Sequence, residues 1–194
     1  ALPSPSPSIL TTFAPSLLPT PGARYIDLSV WQINSAKGFQ VAGSAANDQL
    51  GFSVNSAGDV NGDGYSDILM GARQADPLSR NNAGIVYLLF GKLGGLSDLD
   101  TFNASLDGSR GIQIIGADAC LVGYSVSGAG DINGDRFDDV IIGGVGYTGM
   151  VVVLFGKRSG WADIDMSTFS PADDLGFRVI GSTTGDYLGS AVSA

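Results

Sequence analysis

Apolar positions along this chain fall into short runs, about four to a unit, and the unit recurs every ~65–72 residues, which is the mark of a repeat architecture. One run is Leu50-Gly51-Phe52-Ser53-Val54, matched by Val122-Gly123-Tyr124-Ser125-Val126. The next is Ile68-Leu69-Met70-Gly71-Ala72, matched by Val140-Ile141-Ile142-Gly143-Gly144. A third, Gly84-Ile85-Val86-Tyr87-Leu88-Leu89-Phe90-Gly91-Lys92, pairs with Gly149-Met150-Val151-Val152-Val153-Leu154-Phe155-Gly156-Lys157. A fourth occurs three times, beginning at Gly38, Gly111 and Gly176, and each copy follows a short Asp-containing element: Ile26-Asp27-Leu28, Leu99-Asp100 or Ile164-Asp165-Met166. Runs rich in Val, Ile, Leu and Phe, bounded by Gly, Asp, Asn and Ser, read as strands. The second and third runs are apolar at nearly every position, as in strands buried on both faces. Helical periodicity is absent.

The expected fold is therefore all-β, made of four-stranded antiparallel blades. The units predicted from the repeat are 24–96, 97–160 and a partial third at 161–194, after a Pro/Ser-rich segment at 1–23. A first strand of the third unit is expected at Leu188-Gly189-Ser190-Ala191-Val192. Two complete units and part of a third do not close a ring on their own, since propellers close with about 4–8 blades.

Between the first two runs of each unit lies Asp-x-Asn-x-Asp-x-x-x-Asp. The copies are Asp59, Asn61, Asp63 and Asp67, and Asp131, Asn133, Asp135 and Asp139. Oxygen donors at positions 1, 3, 5 and 9, with a backbone carbonyl at 7, make up the ligand set of a compact Ca²⁺ loop. Two carboxylates ~5 Å apart repel by roughly 3 kcal/mol at an effective dielectric of 20, so three in one short loop call for a cation. A solvated turn uses the same residue types, but two copies at one place in the repeat favour the metal. An EF-hand is excluded, because position 12 is Met70 or Ile142 inside an apolar run instead of a bidentate Glu.

These residues resemble the FG-GAP repeat, the blade of the integrin α-subunit β-propeller and of many microbial and algal surface proteins, over roughly 24–194. The resemblance implies four-stranded blades with Ca²⁺ held between the first two strands, hence two sites. It carries the ligand role onto Asp59, Asn61, Asp63 and Asp67 and onto Asp131, Asn133, Asp135 and Asp139, with Tyr65 and Phe137 ligating through their carbonyl oxygens. The second loop departs from the first in having Arg136 where the first has Gly64. If φ is positive there, a β-carbon is disfavoured and the second site is the weaker.

Composition narrows the function. Net charge is −9 with ten scattered Lys and Arg, which argues against nucleic acid. No apolar run approaches the ~20 residues of a membrane-spanning helix, and no charged leader precedes the repeats, so a processed, secreted chain is expected. With no histidine, Ser-His-Asp and Cys-His catalysis are excluded within the chain, and no enzyme activity is expected of it. Cys120 is the single cysteine and reads as a small packed apolar residue. Six of the eight prolines fall in residues 1–22, where alternating Ser-Pro resembles glycosylated wall-protein modules, and Asn103-Ala104-Ser105 is a glycosylation sequon.

The functional expectation is an extracellular, calcium-binding structural module that self-associates into a surface polymer or fibre, through its incomplete blade ends and its N-terminal segment. The alternatives are part of a larger integrin-like adhesion propeller, or the noncatalytic propeller of a secreted enzyme of the phospholipase D type.

Overall fold

The computed structural model describes residues 38–45, 47–100, 106–170 and 174–194. The Pro/Ser-rich segment, the Ile26-Asp27-Leu28 element and the Asn103 sequon lie outside them.

The described residues are almost entirely strand and turn. The order is β1 (Val41–Ala42), β2 (Leu50–Gly58), β3 (Asp67–Ala72), β4 (Ile85–Leu89), β5 (Leu99–Asp100), β6 (Gly111–Ile115), β7 (Val122–Gly130), β8 (Asp139–Gly144), β9 (Met150–Leu154), β10 (Ile164–Asp165) and β11 (Gly176–Ile180), with one 3-10 turn at Pro77–Ser79. Strands β2-β3-β4-β6 form one antiparallel blade and β7-β8-β9-β11 a second. The match between them extends to irregularities. β2 and β7 each carry two register shifts, at Leu50/Ser53 and Ser56/Gly58 and at Val122/Ser125 and Gly128/Gly130. The first shift falls on a glycine in both, Gly51 and Gly123, each with φ of 85°, a value that glycine alone reaches freely.

The sheets are phased differently from the sequence repeat. The two Asp-containing elements among the described residues pair in parallel with the fourth strand of the preceding unit: Leu99 with Val41, and Ile164 with Ile114. Elements β5 and β10 are thus straps, β10 on the outer edge of the first blade at β6 and β5 on the short strand β1. The hydrogen-bonded blades run 50–115 and 122–180, straddling the boundaries that the repeat alone places at 96/97 and 160/161.

Continuous apolar strands follow from packing on both faces. In β3, Leu69 joins a core cluster between the two blades, with Val86, Leu88, Ile112 and Ile114 meeting Val122, Val126, Ile142 and Val152. Its neighbour Met70 points the other way, into a second cluster with Tyr87, Leu89, Leu99 and Leu106, packed against Val41 of β1. Side chains alternate across a strand, so a blade covered on both sides needs an apolar residue at every position.

The blades approach most closely at glycines. A β-carbon on Gly71 would stand 2.2 Å from the carbonyl oxygen of Gly123, and Ser53 Oγ donates to that oxygen at 2.8 Å. The same contact recurs one blade on, where Gly143 faces the carbonyl of Gly189 and Ser125 Oγ donates to it at 2.7 Å. The strand expected at 188–192 is reduced to one parallel bridge, Leu188 with Gly149. A first strand is laddered to the second strand of its own blade, as β2 is to β3, and among the described residues 188–194 have no such partner. Gly189 nonetheless takes up the docking position of Gly123.

Candidate metal loops

Each acidic loop connects the first two strands of a blade. Asp59 directly follows β2 and Asp67 opens β3, while Asp131 follows β7 and Asp139 opens β8. Asn61, Asp63 and Tyr65 lie in the turn of the first loop, and Asn133, Asp135 and Phe137 in that of the second.

The two loops share one hydrogen-bond frame. Asp63 N–H donates to Asp59 Oδ1 at 3.0 Å and Gly64 N–H to Asp59 Oδ2 at 2.9 Å. Asp135 N–H and Arg136 N–H do the same to Asp131, at 3.0 and 2.8 Å, and Gly134 N–H adds a third bond at 2.7 Å. Position 3 accepts from the N–H of position 5 in both loops, at 2.9 Å to Asn61 Oδ1 and 3.0 Å to Asn133 Oδ1. Position 5 accepts from that of position 7, Tyr65 to Asp63 and Phe137 to Asp135, both at 2.9 Å. Asn and Asp favour such loops because their side chains hydrogen-bond backbone two residues on.

Position 9 is the buried anchor. Asp67 has no exposed surface and accepts Val60 N–H at 2.9 Å and Gly91 N–H at 2.7 Å, one on each oxygen. Asp139, equally buried, accepts Ile132 N–H and Gly156 N–H, both at 2.8 Å. Burial pushes the Asp67 carboxyl up to about 6, against the opposing pull of the Gly91 and Val60 N–H groups, and the charges of Asp63 and Asp59 push the same way. Burial likewise raises Asp139, opposed by the N–H groups of Gly156 and Ile132. The Gly-Lys pairs that close the third strand-like runs therefore supply an N–H to the loop anchor. In the sequence these glycines appear only as the ends of the matched third runs, and their recurrence in both units is the one signal of this role.

The donors present suit a hard cation, being carboxylate and amide oxygens, and each ionised carboxylate has about four lone-pair sites. Asp59 uses two of its own on backbone N–H groups. Among the described residues no three Asp, Glu, Cys or His side chains form a closed metal cage by themselves. Any bound ion would therefore draw on mixed donors, with Asn61 or Asn133 and main-chain carbonyls beside the carboxylates.

The loops also touch each other. Asp138 Oδ2 accepts Asp59 N–H at 2.8 Å, Asp138 N–H reaches the Asp59 carbonyl at 3.2 Å, and Lys157 N–H reaches the Val60 carbonyl at 2.9 Å. The Phe137 ring lies over Gly62, where a β-carbon would come within 2.5 Å of it. Arg136 sits at φ 78°, close to the 89° of Gly64, so the conformation that glycine takes freely in the first loop is imposed on an arginine in the second.

Comparison with known proteins agrees with this architecture. The FG-GAP repeat family model matches residues 51–89, which hold β2, the first acidic loop, β3 and β4. Integrin alpha pat-2 of Caenorhabditis elegans is 31% identical over 107 residues, 55% of this chain and 8% of that protein. Integrin alpha-2 of Bos taurus is 31% identical over 131 residues, 64% of this chain and 10% of the relative. Phosphatidylinositol-glycan-specific phospholipase D of Bos taurus is 35% identical over 121 residues, 58% of this chain and 14% of the relative. The chain thus spans about a tenth of the length of the curated relatives it matches.

Proposed function

This chain is built of FG-GAP repeats like those of integrin α propellers, and from that premise we propose that it is a non-enzymatic, extracellular structural module, braced by calcium and joined to copies of itself through its blade ends. The observation that carries the calcium reading is the duplicated loop frame: five hydrogen bonds from backbone N–H groups to Asp and Asn side chains in the first loop recur between equivalent residues in the second. Asp59, Asn61, Asp63 and Asp67, with the carbonyl of Tyr65, would hold one ion. Asp131, Asn133, Asp135 and Asp139, with the carbonyl of Phe137, would hold the other. Bound Ca²⁺ would neutralise the carboxylates of each loop, and because the loops meet through Asp138 it would fix one blade against the next.

Extracellular placement is supported by the integrin α likeness. Self-association is supported by the exposure of apolar residues on the second blade, among them Phe177 at 41% and Val179 at 48%. The second reading is a segment of a longer adhesion propeller, favoured by the small share of each integrin that the chain spans. The phospholipase D match admits a noncatalytic propeller of a secreted enzyme in the same way.

Calorimetric Ca²⁺ titration and thermal melts in EDTA test the calcium reading. Ligand binding to the folded state alone adds about 2.7 kcal/mol at a hundredfold excess over Kd, so the melting temperature should fall on chelation and be poorly restored by Mg²⁺. A melt that EDTA leaves unchanged, with no binding heat, refutes it. Light scattering of the native protein separates the readings of assembly. Polymers support the self-associating module, whereas a monodisperse monomer with additional blades in one chain supports the larger propeller.

A further inference from the structure

We propose that a cleft beside the first acidic loop binds a neutral saccharide, stacked on Trp161 and hydrogen-bonded by Arg158, Asp107 and Ser109. The site requires neither a bound cation nor a second copy of the chain.

The cleft has a volume of about 420 Å³ and lies where three separate turns meet. Asn61 and Asp63 come from the first acidic loop, Asp107 and Ser109 from the turn before β6, and Arg158 and Trp161 from the segment before β10. That volume is within the usual range for a small-molecule site, about 300–1,000 Å³.

Two of the three walls are fixed by contacts of their own. Trp161 Nε1–H donates to the Lys157 carbonyl at 2.8 Å, and its ring packs on buried Phe90 with centroids 5.4 Å apart. Lys157 Nζ lies 5.1 Å from the centre of the indole. The one hydrogen-bonding group of the indole is thus used within its own turn, and what the half-buried ring offers the cleft is apolar surface. Across from it, Asp107 Oδ1 accepts both the N–H of Ser109, at 3.0 Å, and its hydroxyl, at 2.6 Å. Gly108 between them has φ of 79°, and a β-carbon there would stand 2.2 Å from the Trp161 carbonyl oxygen. The two walls are therefore locked against each other, and groups set in place beforehand lose less freedom when a ligand arrives.

The polar groups left over identify the ligand. The Arg158 guanidinium lies 5.8 Å from the centre of the Phe137 ring, and among the described residues its N–H groups have no hydrogen-bond partner. The Asp107 carboxylate keeps acceptor sites beyond those its turn occupies. Free donors, free acceptors and an indole in one cleft match a sugar ring, which has an apolar C–H face and hydroxyls that both donate and accept. A simple anion would meet Asp63 and Asp107 there, and a simple cation would meet Arg158. Asp107, Ser109 and Arg158 are all exposed, so the cleft is open enough to admit one unit of a longer glycan.

The repeat supplies an independent observation. Trp161 and Arg158 stand where the preceding unit has Leu96 and Leu93. Leucine serves the fold at both places, Leu96 packed against a core cluster and Leu93 82% exposed, so neither an indole nor a guanidinium is demanded by the architecture.

The test uses the full chain carrying Trp31→Phe, which leaves Trp161 as its single tryptophan. Fluorescence is followed, with calcium present, during titration with methyl glycosides and tetrasaccharides of glucose, galactose, mannose and N-acetylglucosamine. The expected result is a saturable change with a neutral saccharide, weakened about tenfold by Arg158→Ala, as loss of a hydrogen bond from a charged group implies. Asp107→Asn, which keeps an acceptor for the Ser109 turn, should weaken it in the same direction, and Leu93→Ala, outside the cleft, should leave it unchanged. Because Arg158 makes no hydrogen bond within the described residues, its variant should melt with the parent, and weakened binding then reports the site and not the fold. Binding that survives Arg158→Ala overturns the site. Binding of sulfated or uronate oligosaccharides, or of free amino acids, in place of the neutral sugars overturns the ligand class. No saturable change with any of these probes overturns the proposal as a whole.

Discussion

The side chain of Asp138 accepts the backbone N–H of Asp59 at 2.8 Å, so a carboxylate of the second acidic loop caps the first residue of the first. Gly58, next to Asp59, has φ of 75° and no room for a β-carbon, which would fall 2.2 Å from Asp138 Oδ2. The position corresponding to Asp138 in the first loop is Ser66, so the one acidic residue that the second loop has beyond the first is a link between blades and not a spare ligand. Asp138→Ala should destabilise the protein by about 1–3 kcal/mol, the range for a hydrogen bond to a charged group and for the donor left unpaired. Urea unfolding measures the loss. In calorimetry the same variant should bind Ca²⁺ at its two loops with less influence of one on the other.

The blade-to-blade glycines give a sharper prediction. At Gly71 an added methyl would meet the Gly123 carbonyl at 2.2 Å and Ser53 Oγ at 2.4 Å, and a backbone carbonyl cannot move aside as a side chain can. Gly71→Ala should cost about 1–3 kcal/mol from overpacking, with the sheets forced apart. Gly43→Ala, whose nearest contact is the Leu50 side chain at 3.3 Å, should be tolerated better. Equal denaturation midpoints for the two variants would contradict the close approach of the blades.

A third prediction concerns acid. Arg80 grips the strap through both oxygens of Asp165, at 2.8 and 2.7 Å, and through Ser167 Oγ at 3.2 Å, while its Nη1 also reaches the carbonyl of Gly116 at 2.9 Å. The Arg80 guanidinium holds the Asp165 carboxyl well below the usual carboxylate range. A carboxyl depressed on folding contributes stability above its unfolded pKa and loses it as pH falls through the folded value. The strap's contribution should therefore be full above about pH 4 and should fade below it. Asp165→Asn should flatten this acid limb and lower stability at neutral pH. The checks are melts of the parent and of Asp165→Asn between neutral and acid pH, where the difference between the two cancels the titration that the raised Asp67 and Asp139 carboxyls add to both.

Much of this was legible before the structure. The strand runs, the acidic loops and the stacked all-β blades follow from residue type and spacing, because a blade covered on both faces leaves an apolar signature and a turn built on Asp and Asn leaves a polar one. Leu69 and Met70 show why: adjacent residues enter opposite core clusters. The phase of the repeat was not legible. Leu99-Asp100 and Ile164-Asp165 stand beside the fourth strand of their own unit in sequence but pair with that of the unit before. Periodicity carries no information about where in the period the sheet is cut. The role of Asp138 was equally hidden, since it shows only in the contact between two loops 72 residues apart (59 to 131). At 188–192 the sequence pattern predicts a strand, but strand formation requires a ladder partner that a pattern cannot supply.

The last prediction concerns Arg136. Its φ of 78° matches the left-handed conformation of Gly64 at 89°, and its N–H donates to Asp131 Oδ2 at 2.8 Å just as Gly64 N–H donates to Asp59 Oδ2 at 2.9 Å. The loop frame therefore demands the conformation, and the arginine β-carbon opposes it by about 1–2 kcal/mol. Arg136→Gly should relieve that strain in any state where the loop is formed. If the loop is formed only with Ca²⁺, the gain appears as affinity, about fivefold or more at the second site. If the loop is already formed without it, the gain appears as stability in EDTA. The calcium-loaded protein gains the same total in both cases, so its melting temperature should rise. Calorimetry of Arg136→Gly in a background with the first loop disabled by Asp63→Ala divides the gain between the two states. A calcium-loaded melt no higher than that of the parent would show that the arginine side chain supplies compensating contacts at this turn.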